Sequence, residues 1–291
     1  VEKPDLGPTV KVGRGMACYM KTPCMPSNAQ SGAFIKMNAD GTVTMATGAV
    51  DMGQGMHTAL SQIAAEALGL PFEKVHFLTT VDTLVSPYDW QTVASRITVL
   101  CGNAVTEACD DLIDQIKGLG SYVRRAAKHE IALGDWCVYV KQNPYLSVAY
   151  DQICMGYTFE NGNAIGGPLI GRGKAIAQGL TGLDPDTGQG HPALDWTYGA
   201  HAVELEVDVE TGDIELLQFC SCLDIGKIMN EDLLRGQVVG GALQGIGTTF
   251  SEAVYYDGEG RLLTKNFTDY KIPTIKDIPK RMEVSSIETP Q

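Results

Sequence analysis

One glutamine bracketed by two glycines, Gly53-Gln54-Gly55, sits inside the run Asp51-Met52-Gly53-Gln54-Gly55-Met56-His57-Thr58. Glycine lets a backbone approach a ligand closely, and amides exposed at a helix start form a cradle for negative charge. The glutamine adds one acceptor and two donors on a neutral side chain, suited to an oxo or pterin-like group. The bare pattern equally fits a tight turn with a polar cap, and His57, a lone histidine, reads first as a structural hydrogen-bonder. A second run, Ser86-Pro87-Tyr88-Asp89-Trp90-Gln91-Thr92-Val93-Ala94-Ser95-Arg96-Ile97-Thr98, leads into another helix. Ser95, Arg96 and Thr98 would offer hydroxyls, a guanidinium and amides there, a set that fits phosphate or pyrophosphate; ordinary Ser/Thr capping fits too. The third run passes from Leu223-Asp224-Ile225-Gly226 through Asn230 to Arg235-Gly236-Gln237-Val238-Val239-Gly240-Gly241 and on to Gly247. Glycines inside a helix cost about 1 kcal/mol each against alanine. Close packing, against another helix, another backbone or a flat cofactor, must offset that cost.

These runs need elements to hold them. Apolar and polar residues alternate on both sides of Asp40-Gly41 between Gly32 and Ala49, a hairpin signal. Leu60, Ile63, Ala64 and Leu68 recur at helical spacing and Gly69 closes that helix. Lys74 to Thr79 reads as a strand and Gly102 to Gly118 as an amphipathic helix. The second half repeats the order. Ala202 to Val209 and Ile214 to Cys222 pair around Glu210-Thr211-Gly212-Asp213, and a loop from Asp224 to Asn230 leads to a helix over about 231–250. The expected fold is α+β, two related hairpin-loop-helix units. The expected division is 1–150 for the first unit, 151–195 for a glycine-rich connector, and 196–291 for the second unit. The connector, holding the turn cluster Asp184-Pro185-Asp186-Thr187-Gly188, reads either as a linker or as a segment reaching another subunit.

Composition narrows the classes. With 291 residues and 44% hydrophobic side chains, the chain can bury one large or two ordinary cores. No apolar run approaches the ~18 residues of a membrane span. A net charge of −13 repels phosphate backbones and argues against a nucleic-acid partner. Glycine stands at 33 of 291, above the ~7% of average usage, which points to tight turns or backbone pressed against a ligand. The eight cysteines, Cys18, Cys24, Cys101, Cys109, Cys137, Cys154, Cys220 and Cys222, form no Cys-x-x-Cys pair. That disfavours an iron–sulfur cluster or structural zinc on this chain. Reduced, mostly buried thiols in a cytoplasmic protein are expected.

Taken in order, Met-Gly-Gln-Gly-Met-His-Thr at 52–58, Ala-Ser-Arg-x-Thr at 94–98 and Gly-Gln-x-x-Gly-Gly at 236–241 resemble the molybdopterin-binding subunit of the molybdenum hydroxylases, the xanthine dehydrogenase and aldehyde oxidoreductase family. The resemblance runs from Gly13-Arg14-Gly15-Met16-Ala17 through Asp269-Tyr270-Lys271-Ile272-Pro273 and matches the C-terminal half of that subunit. It implies that Gln54 lies beside a molybdenum oxo ligand, with Gly53, Gly55, Met56 and Thr58 lining the cofactor. By the same resemblance Ala94 floors the substrate pocket, and Ser95, Arg96, Ile97 and Thr98 hold the pterin and dinucleotide through their backbone. Gln237 and Asn230 contribute from the second unit, and no protein side chain ligates the metal. Two family features are absent: the N-terminal half with its Gly-Gly-x-Phe-Gly motif, and the Gly-x-Gly-Glu motif whose glutamate is the catalytic base, expected beyond Gln291.

In layout the chain is most similar to the medium molybdopterin subunit of the nicotinate dehydrogenase type. The implied activity is hydroxylation of a nicotinate- or purine-like heterocycle with water-derived oxygen. The implied cofactor is molybdopterin as its cytosine dinucleotide, with molybdenum. The implied partners are a second molybdopterin subunit, an iron–sulfur subunit and an FAD subunit that receive the electrons. Two alternatives stay open: the same chemistry on another substrate (an aldehyde, or reduction of a hydroxyaryl thioester), and a non-catalytic scaffold subunit.

Overall fold

The computed structural model describes residues 9–22 and 25–289. They fall into two compact units. A central unit lies between Thr22 and Asp195, and a flanking unit joins the chain up to Thr22 with the chain from Asp195 onward. In chain order, β1 (Val10–Lys21) is followed by β2 (Gln30–Met37), β3 (Val43–Thr47), α1 (Met56–Leu68), β4 (Val75–Phe77) and α2 (Ile97–Arg124). Then come β5 (Ile131–Gly134), β6 (Cys137–Val140), β7 (Asn143–Ala149), α3 (Tyr150–Ile153), β8 (Tyr157–Thr158), β9 (Ala164–Ile165) and β10 (Ile170–Ile176). The chain ends through β11 (Thr197–Asp208), β12 (Ile214–Asp224), α4 (Glu231–Phe250) and β13 (Arg281–Ile287). The α+β class read from the sequence holds.

In the central unit the sheet order is β10-β2-β3-β4, with β3 and β4 parallel and the other pairs antiparallel. The β2–β3 hairpin turns at Gly41, whose φ of +80° suits glycine. Asp40 Oδ1 accepts from the Thr42 amide at 3.0 Å and tightens that turn. One sheet face carries Ala33, Ile35, Met37, Val43 and Met45, which pack with Leu60 and Ala64 of α1 and Ala104, Ala108 and Leu112 of α2 in one buried core. Helix α1 stops at Gly69 in the left-handed conformation, as the sequence predicts. Helix α2 outruns its expected 102–118 at both ends, because Ile97, Leu100 and Cys101 extend its buried face, and it ends at left-handed Arg125. The antiparallel meander β5-β6-β7, absent from the elements expected from the sequence, supplies Ile131, Val138, Val140 and Val148 to the same core.

The flanking unit repeats this topology as β1-β11-β12-β13, with β12 and β13 parallel and joined through α4. Both units therefore contain a hairpin, a loop, a helix and a strand returning parallel to the hairpin's second strand. The observed division falls after Thr22 and at Asp195, and none falls at 150. Strand β1 pairs along its length with β11, from Val10↔Asp208 to Lys21↔Thr197, so the first residues belong with the last. Strand β10, inside the expected connector, is the edge strand of the central sheet. Both strands were missed for one reason: Gly13 and Gly15, like Gly171 and Gly173, interrupt the alternation that marks a strand.

The cysteines are more exposed than expected. Cys101, Cys109 and Cys154 are buried, Cys137, Cys220 and Cys222 are half-buried and Cys18 is exposed; Cys24 lies outside the described residues. Burial pushes the Cys101 and Cys109 thiols up to about 12. No helix among the described residues is long and apolar enough to cross a membrane.

Candidate functional site

Strand β3 ends at Thr47 and the chain reaches α1 through the loop 48–55. Asp51 organises that loop. Its Oδ1 accepts from the amides of Gly53 at 2.8 Å and Gly55 at 3.3 Å, and its Oδ2 accepts from the His57 amide at 3.2 Å. Burial raises the Asp51 pKa, but those three amides and the nearby His57 ring outweigh it and hold the carboxyl below its usual range. The amides expected to cradle an anion are thus bonded to the chain's own carboxylate. His57 Nδ1 lies 3.7 Å from Asp51 Oδ2, and its ring centroid lies 4.4 Å from that of Phe77.

Gln54 is fixed by the same loop. Its Nε2 donates to Val50 O at 3.0 Å and its Oε1 accepts from Met52 N at 2.6 Å. These partners determine which way round the amide sits, since a backbone N–H must meet oxygen and a carbonyl must meet nitrogen. Each bond uses one of the side chain's donor or acceptor positions, so Nε2 keeps a second hydrogen and Oε1 a second lone pair. Gly53 and Gly55 take φ of +110° and +80°, and a Cβ on Gly53 would meet nothing within 4 Å. Gly53 is exposed, Gln54 and Gly55 are half-buried, Met56 is buried and Thr58 is exposed.

The second run closes on the first. Thr92 Oγ1 accepts from Val50 N at 3.0 Å. A Cβ on Gly48 would stand 2.2 Å from Pro87 O, so only glycine lets the loop 86–90 lie against it. Asp89 bridges to Ser31 of β2, Gly32 N donates to Tyr88 O at 2.7 Å, and Trp90 N donates to Gln30 O at 2.9 Å. The guanidinium of Arg96, expected to meet phosphate, is instead turned inward. It pairs with Asp89, donates to Ser31 Oγ at 3.2 Å and lies 5.3 Å from the Trp90 ring centroid, with its side chain fully buried. Asp89 is the partner that sequence reading missed, because nothing in the spacing of two charges seven residues apart marks them as a buried pair. Asp51 left a fainter sign, an acid two residues before a glycine at a helix entry.

Just ahead of Arg96, Ala94 and Ser95 take φ of 57° and 64°. Two consecutive left-handed residues with side chains are strained by about 1–2 kcal/mol each, and such strain persists where the surroundings dictate it. Ser95 and Thr98 are exposed, Ala94 is half-buried and Ile97 is buried. The structure therefore brings the 50–55 loop and the 92–98 turn together at one end of the central sheet.

Asn230 and Gln237 lie in the flanking unit. Asn230 caps α4, its Oδ1 accepting from Leu233 N at 2.9 Å. Glu231 and Asp232 follow in the first turn, which makes that helix start poor for a further anion. Gln237 is exposed one turn later. A Cβ on Gly236, Gly240, Gly241 or Gly245 would meet nothing within 4 Å, so packing among the described residues does not account for these glycines. Among the described residues no group of three or more His, Cys, Asp or Glu is placed to hold a metal ion.

An oriented neutral amide, a glycine loop and a strained polar turn thus meet at one end of the central sheet. The chain belongs to the molybdopterin cofactor-binding domain family, whose model matches residues 1–279. It is 31% identical over 284 residues to the probable hypoxanthine oxidase XdhD of Escherichia coli (strain K12), covering 92% of this chain and 26% of that protein. It is 30% identical over 258 residues to the nicotine 6-hydroxylase large subunit of Paenarthrobacter nicotinovorans, covering 89% and 30% of the two chains. The fold superposes on quinoline 2-oxidoreductase from Pseudomonas putida 86 with a TM-score of 0.80 at 26% identity, over 97% of this chain and 36% of that one. The chain thus spans about a quarter to a third of these relatives.

The donor set suits a pterin. Its ring edge alternates hydrogen-bond donors and acceptors, and Gln54 keeps one of each. The Arg96 guanidinium, committed to Asp89 and Ser31, is not part of that donor set.

Proposed function

We propose that this chain forms one wall of the molybdopterin site of a multi-subunit molybdenum hydroxylase acting on an aromatic N-heterocycle such as nicotinate or a purine. The observation that carries this reading is the Gln54 amide, oriented by Val50 O and Met52 N with one hydrogen left to give. Nicotine, quinoline and hypoxanthine, after which these similar proteins are named, are all aromatic N-heterocycles, which supports the substrate class.

What a molybdenum-bearing pterin supplies when bound is a water-derived oxygen for an electron-poor ring carbon and a sink for two electrons. The chain's own residues bind and orient. Gln54 Nε2 directs its free hydrogen at an oxygen of the bound group, and Gly53 and Gly55 let the backbone come close, beside Met56 and Thr58. Ser95, Ile97 and Thr98 present backbone and hydroxyl donors to the pterin and its cytosine dinucleotide. Arg96 is a positioning residue: its buried pair with Asp89 holds the turn in which Ala94, small enough to leave room for substrate, sits.

A second molybdopterin subunit closes the cleft, and iron–sulfur and FAD subunits take the electrons, all in the cytoplasm. Gln54→Ala tests the reading in the assembled enzyme. Turnover should fall 10²-fold or more, as for loss of a positioned donor, with assembly retained. Equal losses of assembly and turnover would make the glutamine a structural turn.

A further inference from the structure

Asp51 and Gln54 hold each other's neighbours. Asp51 Oδ1 accepts from the amides of Gly53 and Gly55, the residues on either side of Gln54, at 2.8 and 3.3 Å. The Gln54 side chain does the reverse. Its Oε1 accepts from Met52 N at 2.6 Å and its Nε2 donates to Val50 O at 3.0 Å, and these two residues stand on either side of Asp51. The loop is thus crossed by a reciprocal clasp, each side chain bonded to the peptide groups that flank the other.

The clasp is anchored at both ends. At one end Asp51 Oδ2 accepts from His57 N, in the first turn of α1, at 3.2 Å. The His57 ring backs that carboxylate, with Nδ1 3.7 Å from Oδ2, and itself packs on Phe77 of β4. At the other end Val50, whose carbonyl takes the Gln54 hydrogen, gives its own amide to Thr92 Oγ1 at 3.0 Å. Thr92 stands two residues before Ala94, the first of the two left-handed residues of the turn. One run of hydrogen bonds therefore leads from α1 through Asp51 and Gln54 to the 92–98 turn.

This loop needs such a device. Gly53 and Gly55 both take positive φ, and a Cβ on Gly53 would meet nothing within 4 Å, so packing does not hold it. Glycine also loses more conformational freedom on ordering than any other residue. A single hydrogen bond shifts an ordering equilibrium by only about tenfold. Bonds closed reciprocally share one ordering cost, because whichever forms first fixes the backbone on which the others depend.

We propose that Asp51 is the positioning residue for Gln54: its carboxylate fixes the peptide groups on both sides of the glutamine, and through them the direction of the one Nε2 hydrogen left for a ligand. Thr92 extends the constraint to the second half of the wall, so the two segments are held as one piece. Asp51 already takes the amides at the start of α1, so the loop meets a bound group there with a neutral donor. What Gln54 meets rests on the molybdopterin reading; the clasp itself does not.

The test is amide hydrogen exchange on the complete protein as purified, read at single amides, with urea unfolding midpoints of the same variants. In Asp51→Ala the Met52 amide, which bonds to Gln54, should exchange about tenfold faster. In Gln54→Ala the Gly53 and Gly55 amides, which bond to Asp51, should do the same. Asp51→Asn keeps a side-chain oxygen for two amides and should protect Met52 better than Asp51→Ala does. Thr92→Val, which removes only the hydroxyl that Val50 uses, should also speed exchange at Met52. The double variant Asp51→Ala/Gln54→Ala should lower the midpoint no further than the worse single variant, since either change opens the whole clasp. In the assembled enzyme Asp51→Ala should lose turnover as Gln54→Ala does. Additive midpoints, faster exchange confined to the directly bonded amides, or full turnover in Asp51→Ala beside a loss in Gln54→Ala would overturn the proposal. Exchange and midpoints are read with or without bound pterin, so a protein that shows the coupling but carries no molybdenum would support the clasp and overturn only the cofactor reading.

Discussion

Asp89 and Arg96 form an ion pair closed off from solvent, the guanidinium side chain 0% and the carboxylate 2% exposed. Ser31 Oγ joins them, donating to Asp89 Oδ2 at 2.6 Å and accepting from Arg96 Nη1. The pair ties the start of α2 to the start of β2, and so fixes the turn at 94–95. Its value lies in position more than in net stability, because two charges withdrawn from water forfeit much of what their attraction returns. Removing one partner is a different matter, since it leaves the other charge buried and alone. Asp89→Ala should destabilise the protein by about 3–5 kcal/mol, read as a shift of the urea unfolding midpoint. Arg96→Lys should fail to restore the geometry, a single ammonium being unable to reach both Asp89 and Ser31 as a planar fork does. A loss below about 1 kcal/mol in Asp89→Ala, the range of exposed pairs, would show that the pair opens to water.

The strained turn gives a prediction with opposite signs for two substitutions. Ala94 holds φ at 57°, where glycine is at ease and a bulky side chain is not. Ala94→Gly should therefore stabilise the fold or leave it unchanged. Ala94→Phe should preserve molybdenum content and suppress turnover by filling the space above the turn. Unchanged kinetics in Ala94→Phe would remove Ala94 from the substrate pocket.

His201 makes the flanking unit sensitive to acid. Its ring lies between Tyr19 at 4.9 Å and Phe219 at 5.1 Å, and among the described residues its buried Nδ1 has no hydrogen-bond partner. Burial lowers its pKa by disfavouring the charged form. The unfolded chain, titrating near 6.5, then binds a proton that the folded chain refuses, so the His201 contribution is fully present above about pH 6.5 and declines as pH falls towards the folded pKa. Urea titrations at pH values above and below 6.5 should show this slope, and His201→Phe, which keeps the stack, should flatten it. An identical slope in the variant would assign the acid sensitivity elsewhere.

The sequence made the hairpins, α1 and α4 legible because Asp40-Gly41, the Leu60 to Leu68 spacing and the Gly69 stop are local signals. The edge strands β1 and β10 were not legible. Gly171 and Gly173 erase a strand's alternation in order to admit α2, a tertiary demand that no local pattern records. The site divides in the same way. Gln54 and Ala94 were visible as residues between turn-formers, whereas the inward turn of Arg96 depends on Asp89 and Ser31, which lies 65 residues away from it. Asp51 filling its own helix start was likewise hidden, since the carboxylate acts through loop geometry and not through composition.

The central claim is that the 50–55 loop and the 92–98 turn form one wall of a molybdopterin site that another polypeptide must close. A flat pterin dinucleotide has to be largely buried to be held, and Val50, Met52, Gly53, Val93, Ser95 and Thr98 of these two segments are exposed. The direct measurement is the molybdenum and pterin content of residues 1–291 purified alone and of the same chain purified with its partners. The account predicts neither group on the isolated chain and about one of each per copy in the assembly, with Gln54→Ala lowering turnover there. A soluble isolated chain carrying stoichiometric molybdenum, or an assembly carrying none, would contradict it.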